Sequence, residues 1–170
     1  LTPVESQFEI YDVCEDGYII RKQYKNGRVY GLADAGFEVI LSPIYDWIQW
    51  LPHAPNYVSI QNQSRKYGLI RTNGKEVLPV AFDRLVTFLS TQDILAKKSN
   101  LYYWYDDTGN QLSVKGYPRM GEKIQMHSLY NDTSTVYPAI PVMDENGQHR
   151  ILKRDGKVIS LDSIQELSII

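Results

Sequence analysis

The stretch 65–85, RKYGLIRTNGKEVLPVAFDRL, constrains this chain more than any other, because weaker copies of it lie on both sides. Residues 67–71 read as an extended run, Thr72-Asn73-Gly74-Lys75 as a turn and Glu76-Val77-Leu78 as the returning strand, which Pro79 ends. Upstream, Tyr30-Gly31-Leu32 falls on Tyr67-Gly68-Leu69, Gly36 on Gly74, Pro43 near Pro79 and Tyr45-Asp46 on Phe82-Asp83. Gly31 and Asp46 stand fifteen residues apart, as do Gly68 and Asp83.

A hairpin pair of this length has too little core to stand alone, so each copy must bury its apolar face against a neighbour. The expected fold is all-β: tandem repeats of short antiparallel strands and hairpins stacked as an elongated array. The expected domain is single, residues 1–170, with repeats 8–44, 45–81, 82–118 and 119–170.

In the first copy residues 8–13 and 18–24 are expected strands. Lys25-Asn26-Gly27-Arg28 is a hairpin signal, since Asn-Gly tolerates the positive φ of tight primed turns. In the third copy the run 101–105 precedes the turn Asp107-Thr108-Gly109-Asn110, and Tyr103 stands where the earlier copies have glycine. The fourth copy is the least regular. Candidate strands are 124–126 and 137–143, the latter interrupted by Pro138 and Pro141, and a hairpin returns at 149–159 with Gly156-Lys157 on Gly74-Lys75. A short apolar end, 167–170, reads as a covering strand. Residues 85–95 are the best place for a helix, yet they read more easily as strand and loop.

Composition narrows the function classes. The net charge of −2 argues against the basic footprint of a nucleic-acid binder. A single cysteine, Cys14, excludes an internal disulfide and a Cys-rich zinc site, and it reads as a buried or incidental thiol. No apolar run is long enough to span a membrane as a helix, and the start LTPVESQF lacks the pattern of a signal peptide.

The repeated residues read as architecture. Gly31 and Gly68 inside strands permit a close approach or mark a bulge, and a ligand contact is the weaker reading. Asp46 and Asp83 cap local turns by accepting N–H bonds; a glycosidase pair would need a shared cleft and a raised pKa that nothing supplies. Gly36, Gly74, Gly109 and Gly156 serve turns, because no Gly-rich run opens a helix to hold phosphate. His53, His127 and His149 form no metal motif, Asp144-Glu145-Asn146-Gly147 lacks the ligand order of a calcium loop, and no nucleophile elbow marks a triad. Asn62-Gln63-Ser64 and Asn131-Asp132-Thr133 match the glycosylation triplet, which matters only on a secreted eukaryotic route. No metal or other cofactor is expected.

Thirteen tyrosines against four phenylalanines favour a sheet with one wet face or an interaction surface. The consecutive Tyr102, Tyr103, Trp104 and Tyr105 must point to both faces of a strand. With Trp47 and Trp50 they are the candidate binding platform for a sugar ring or a partner's apolar patch, against the alternative of core and cross-strand pairing.

The segment KYGLIRTNGKEVLPVAFDRL resembles the WG repeat of many bacterial proteins: an aromatic-Gly pair, an apolar strand, a turn ending in Gly-Lys, a Pro, then Tyr-Asp. Tyr67-Gly68, Leu69-Ile70, Gly74-Lys75, Pro79 and Phe82-Asp83 carry the likeness, and Tyr30-Gly31-Leu32, Gly36, Pro43 and Tyr45-Asp46 repeat it. Tyr replaces the naming Trp at both pairs. The resemblance implies a repetitive β array in a bacterial surface, secreted or multidomain protein, with no catalytic residues to transfer. The expectation is therefore a non-enzymatic module that presents one face to a protein partner or acts as a scaffold. Its rival is a carbohydrate-binding module using exposed Trp and Tyr, and a third reading is a spacer. The cell surface or secretion is favoured over the cytoplasm.

Overall fold

The computed structural model describes residues 8–14, 16–51, 54–86, 93–120 and 139–160. The expected strand at 124–126, the segment 167–170, most of the 85–95 segment, His53, His127, the triplet at Asn131 and the Cys14 side chain lie outside them. The architecture is all-β, made of short antiparallel strands in repeated sheets.

The chain divides into two compact units, Leu1–Leu85 and Val86–Ile170. The first unit holds two four-stranded meanders. One runs β1 (Glu9–Cys14), β2 (Gly17–Tyr24), β3 (Gly27–Asp34), β4 (Val39–Tyr45), and the other β5 (Trp47–Leu51), β6 (Ala54–Gln61), β7 (Tyr67–Arg71), β8 (Glu76–Phe82). The third sheet has the order β11-β10-β9, from β9 (Arg84–Val86), β10 (Ile94–Lys98) and β11 (Leu101–Tyr105). The fourth is β12 (Arg119–Met120), β13 (Ala139–Met143), β14 (His149–Lys153) and β15 (Val158–Ser160).

One turn recurs six times among the described residues: 34–38, 62–66, 71–75, 106–110, 144–148 and 153–157. In each, the first N–H donates to the fifth carbonyl and the fourth N–H donates back to the first carbonyl. This is the three-residue hairpin loop that closes with a left-handed residue. The left-handed position is the fourth, filled by Gly74, Gly109, Gly147 and Gly156 at φ 77–92°, and by Phe37 (65°) and Arg65 (57°). Gly36 was expected to match Gly74, but it holds the third position, where no special φ is needed. Phe37 takes the costly place instead, and its ring stacks on Tyr18 at 4.6 Å and 7°, which offsets the strain.

Carboxylates and amides set these turns. Oδ1 of Asp34, Asn62, Asp106 and Asp144, the first residues, each accepts two N–H groups from the third and fifth residues at 2.9–3.0 Å. Where the first residue is Arg71 or Lys153, Asn73 or Asp155 in the third position accepts from the fifth instead. The tight primed turn expected at Asn26-Gly27 lies elsewhere. There the loop is Lys25-Asn26 between the paired Tyr24 and Gly27, and the two-residue loop with both φ positive is Ser99-Asn100 (51° and 64°) between Lys98 and Leu101.

The in-strand glycines have a steric cause. Between the pairs Tyr30↔Tyr45 and Leu32↔Leu41, Gly31 alone faces Ser42, Pro43 and Ile44; Gly68 likewise faces Pro79, Val80 and Ala81. The bulged strand folds over the glycine. A Cβ on Gly31 would meet the Leu41 carbonyl oxygen and lie 2.8 Å from Pro43 N, and one on Gly68 would lie 2.9 Å from Val80 Cγ2 and 3.0 Å from the Leu78 oxygen. The prolines fit because the bulge asks for no ladder N–H. The third copy keeps this geometry in exchanged form: Tyr102 pairs with Tyr117 as Tyr30 does with Tyr45, and Gly116 now supplies the space, its missing Cβ standing 2.7 Å from Tyr103 Cζ.

Each unit has its own core built from two sheets. Ile19, Tyr30 and Leu32 of the first sheet meet Ile48, Val58, Ile60 and Ile70 of the second. Leu95, Trp104 and the adjoining Tyr117 meet Met120, Ile140, Val142 and Leu152. The stacking expected from the repeat is thus the way both cores are formed.

Gly31→Ala should cost about 1–3 kcal/mol of stability, the range for forcing a methyl into a filled site, and Gly116→Ala should act in the same direction; urea midpoints of the two variants against the parent measure it. The turns add a pH dependence. At Asp106 burial opposes ionisation, but the hydrogen bonds from Thr108 and Asn110 outweigh it and hold the carboxyl below its usual range. At Asp144 the Gln148 N–H bond leads the same lowering. A folded-state pKa below the unfolded value of about 3.9 gives stability that is present above that pH and is lost as the pH falls through the folded value. Asp106→Asn with Asp144→Asn, which keeps an Oδ1 acceptor as Asn62 does, should flatten the fall in melting temperature between about pH 5 and pH 2. An unchanged slope would exclude these carboxylates as its source.

Candidate functional site

Large apolar side chains left exposed are concentrated on the first sheet and the start of the second. Among the described residues Ile10, Tyr11, Val13, Tyr24, Phe37, Val39, Ile44 and Trp47 are exposed there, against Val114 and Val158 in the second unit. This asymmetry places the candidate interaction surface on the first unit.

Its aromatic part is built by a bulge. Ile10 pairs with Ile20 and Asp12 with Ile19, which leaves Tyr11 without an opposite residue and turns its ring toward β3. Tyr11 meets Tyr30 at 5.0 Å and Trp47 at 6.2 Å, and Tyr30 meets Trp47 at 5.7 Å, all edge-to-face at 67–69°. Tyr30 is buried, whereas Tyr11 and Trp47 keep 41% and 39% of their surface open, so the cluster is anchored inside and offered outside. The Arg21 guanidinium lies 5.5 Å over the Tyr11 ring and is fixed by Glu9 at 2.6 Å, a bond that raises its pKa and keeps it charged.

A groove of about 420 Å³ opens on the same unit, lined by Tyr24, Arg28, Pro43, Ile44, Asp46 and Gln63 among others. The tip of the β2–β3 hairpin forms one wall, held by Arg28 Nε donating to Gln23 Oε1 (3.0 Å) and Gln23 Nε2 donating to the Gly27 carbonyl (3.1 Å). The Pro43 bulge forms another wall. One carboxylate, one guanidinium, two amides (Asn26 and Gln63) and an aromatic ring therefore share one concave surface with the apolar Val29, Pro43 and Ile44, an arrangement that can orient a polar ligand. Asp83, the counterpart of Asp46, is ion-paired with Lys66.

The residues picked from the sequence separate. Trp47 is part of the exposed cluster. Trp50, also on β5, is half-buried against the first core, with its indole Nε1 buried and without a partner among the described residues. Tyr102, Tyr103 and Tyr105 are half-buried on β11, and burial raises the Tyr105 hydroxyl pKa. Trp104 is 0% exposed and offers no face to a ligand: its ring fills the second core and its Nε1 donates to Asp93 at 3.2 Å. The platform reading of Trp104 is therefore corrected to a core role.

Asp93 itself was missed from sequence. It is fully buried and accepts from Trp104 and from Arg154 Nη2 (2.9 Å), tying the third sheet to the 153–157 turn of the fourth. No local pattern could reveal a pairing across 61 residues. Tyr11 and Tyr24 were missed as well, although the skew toward tyrosine and the hairpin tip at Lys25-Asn26 pointed toward them. No group of three His, Cys, Asp or Glu side chains is placed to hold a metal, and no helix is long and apolar enough to cross a membrane, both among the described residues.

Arg154→Met should destabilise the second unit by about 3 kcal/mol, because it takes a charged partner from a buried carboxylate. Asp93→Asn with Arg154→Met should recover part of that loss in chemical denaturation. A single variant as stable as the parent would show that Asp93 does not depend on the pair.

Residues 67–93 match the family model described as WG containing repeat. No curated protein and no solved structure matches the chain. The matched segment contains Tyr67-Gly68, the Pro79 bulge and Phe82-Asp83, the same residues that build the repeated close approach, and it is in this segment that the chain is similar to the WG repeat.

Proposed function

We propose that this chain is a non-enzymatic β-repeat module that binds a protein partner or acts as a scaffold. The observation that carries the reading is the Tyr11–Trp47 cluster: two aromatic rings left open beside a fixed guanidinium, on sheets whose interiors are already filled. Aromatic residues with an anchored base and an adjoining Arg are what binding hot spots are made of. The similarity of residues 67–93 to the WG repeat supports a repeat module rather than an enzyme. The same reading takes 1–170 as one repeat domain, with repeats 8–44, 45–81, 82–118 and 119–170, displayed at a bacterial surface or secreted.

A carbohydrate ligand is the second reading, favoured by one feature, the groove in which Tyr24 stands with Arg28, Asp46 and Gln63. Affinity capture from the source cells with the immobilised chain and with Tyr11→Ala/Trp47→Ala, followed by mass spectrometry, separates the two. A protein retained by the parent and lost with the double variant is the expected result. Equal capture by both would sink the protein-binding surface, and glycan-array binding abolished by Tyr24→Ala would move the function to the groove.

A further inference from the structure

The aromatic pair beside each close approach can be followed one residue further out. In the second copy Tyr67 pairs with Phe82, and the next residues outward, Lys66 and Asp83, form an ion pair. In the third copy Tyr102 pairs with Tyr117, and the next residues outward are Leu101 and Pro118, both half-buried. In the first copy Tyr30 pairs with Tyr45, and the next residues outward are Val29 and Asp46. Charge meets opposite charge in the second copy, and apolar meets apolar in the third. The first copy holds half of an ion pair: it keeps the carboxylate and has a valine where the second copy has its lysine.

Asp46 finds no substitute within the chain. Its backbone N–H donates to the Gln61 carbonyl at 2.9 Å, but among the described residues its carboxylate makes no hydrogen bond and no ion pair. On a flat surface water would satisfy it. Asp46 and Val29 instead share the groove of about 420 Å³ with Tyr24, Arg28, Pro43 and Ile44. Tyr24 is 50% exposed and Ile44 62%, so open apolar surface lies beside the charge. A lysine suits such surroundings, because its methylene stem lies on apolar surface while its ammonium reaches a polar end. Arg28 donates from Nε to Gln23 Oε1 at 3.0 Å, and its Nη groups make no bond among the described residues. They can donate to a carbonyl oxygen, which a peptide brings and a free amine does not.

We infer that the groove binds a lysine side chain of a protein partner, its ammonium on Asp46 and its stem along Val29, Tyr24 and Ile44. The repeat itself names the occupant, since Lys66 on Asp83 is the same contact made within the chain at the equivalent position. An exposed ion pair shifts an equilibrium by about fivefold at most, so Asp46 selects which residue enters the groove more than it sets the affinity. Tyr11 and Trp47 do not line the groove. This site and the aromatic surface therefore hold or fail separately.

Amide NMR of the whole isotope-labelled chain, titrated with Nα-acetyl-lysine methylamide, tests it. The control is the norleucine analogue, which has the stem and no ammonium. The signals of Val29, Ile44 and Asp46 should shift to saturation with a dissociation constant of about 1–20 mM. The control should bind at least about threefold more weakly, and Asp46→Asn should weaken the lysine probe by a similar factor. Val29→Lys should abolish the shifts, because it supplies across the strands the ammonium that Lys66 gives to Asp83. If the same spectra show that Val29→Lys disturbs the fold, Asp46→Asn carries the test. A parent without saturable shifts at these residues, a control that binds as well as the lysine probe, or an Asp46→Asn chain that binds like the parent would each overturn the inference. Shifts at the same residues with maltotriose and none with lysine would overturn it too, and would assign the groove to sugars.

Discussion

The hydrogen bond from turn N–H groups to one carboxylate or amide oxygen is the interaction on which the rest of this fold depends. It closes a five-residue reversal whose fourth residue is left-handed, and that geometry fixes which residues face each other across the hairpin. Because side chains alternate along a strand, fixing the register also fixes which residues share a face. Leu32 and Ala33, or Trp104 and Tyr105, stand on opposite faces for this reason.

A second constraint acts across the sheet. The strands leaving the turns at 34–38 and 71–75 return with extra residues and fold over their neighbours, so one of each pair must lack a side chain. In the first two copies Gly31 and Gly68 give way, and in the third Gly116 gives way to Tyr103. The close approach is what persists. The residue that permits it changes sides.

Much of this was legible beforehand. The period, the turn positions, the all-β class and the bulging role of Gly31 and Gly68 all rest on local chemistry, and local chemistry is written in consecutive residues. The left-handed place of Phe37 was not legible, since its cost is offset by Tyr18, nineteen residues earlier in the sequence and reached only through folding. Nor was the burial of Trp104. A run of four aromatic residues shows that both faces of a strand carry rings, but which ring is covered depends on Leu95, Val142 and Leu152 arriving from other strands. The candidate surface was half legible: Trp47 was expected, while its partner Tyr11 is presented by a bulge in a strand whose sequence shows only loose alternation.

The sequence by itself determined the repeat, the turns and the need for one sheet to cover another, because each follows from hydrogen bonding and sterics within a few tens of residues. Tertiary structure decided which aromatic rings stay open, which carboxylate is buried with an arginine, and which face of each sheet enters a core. Those outcomes depend on which apolar surfaces find one another, and burial is a property of the assembled sheets that no single strand carries.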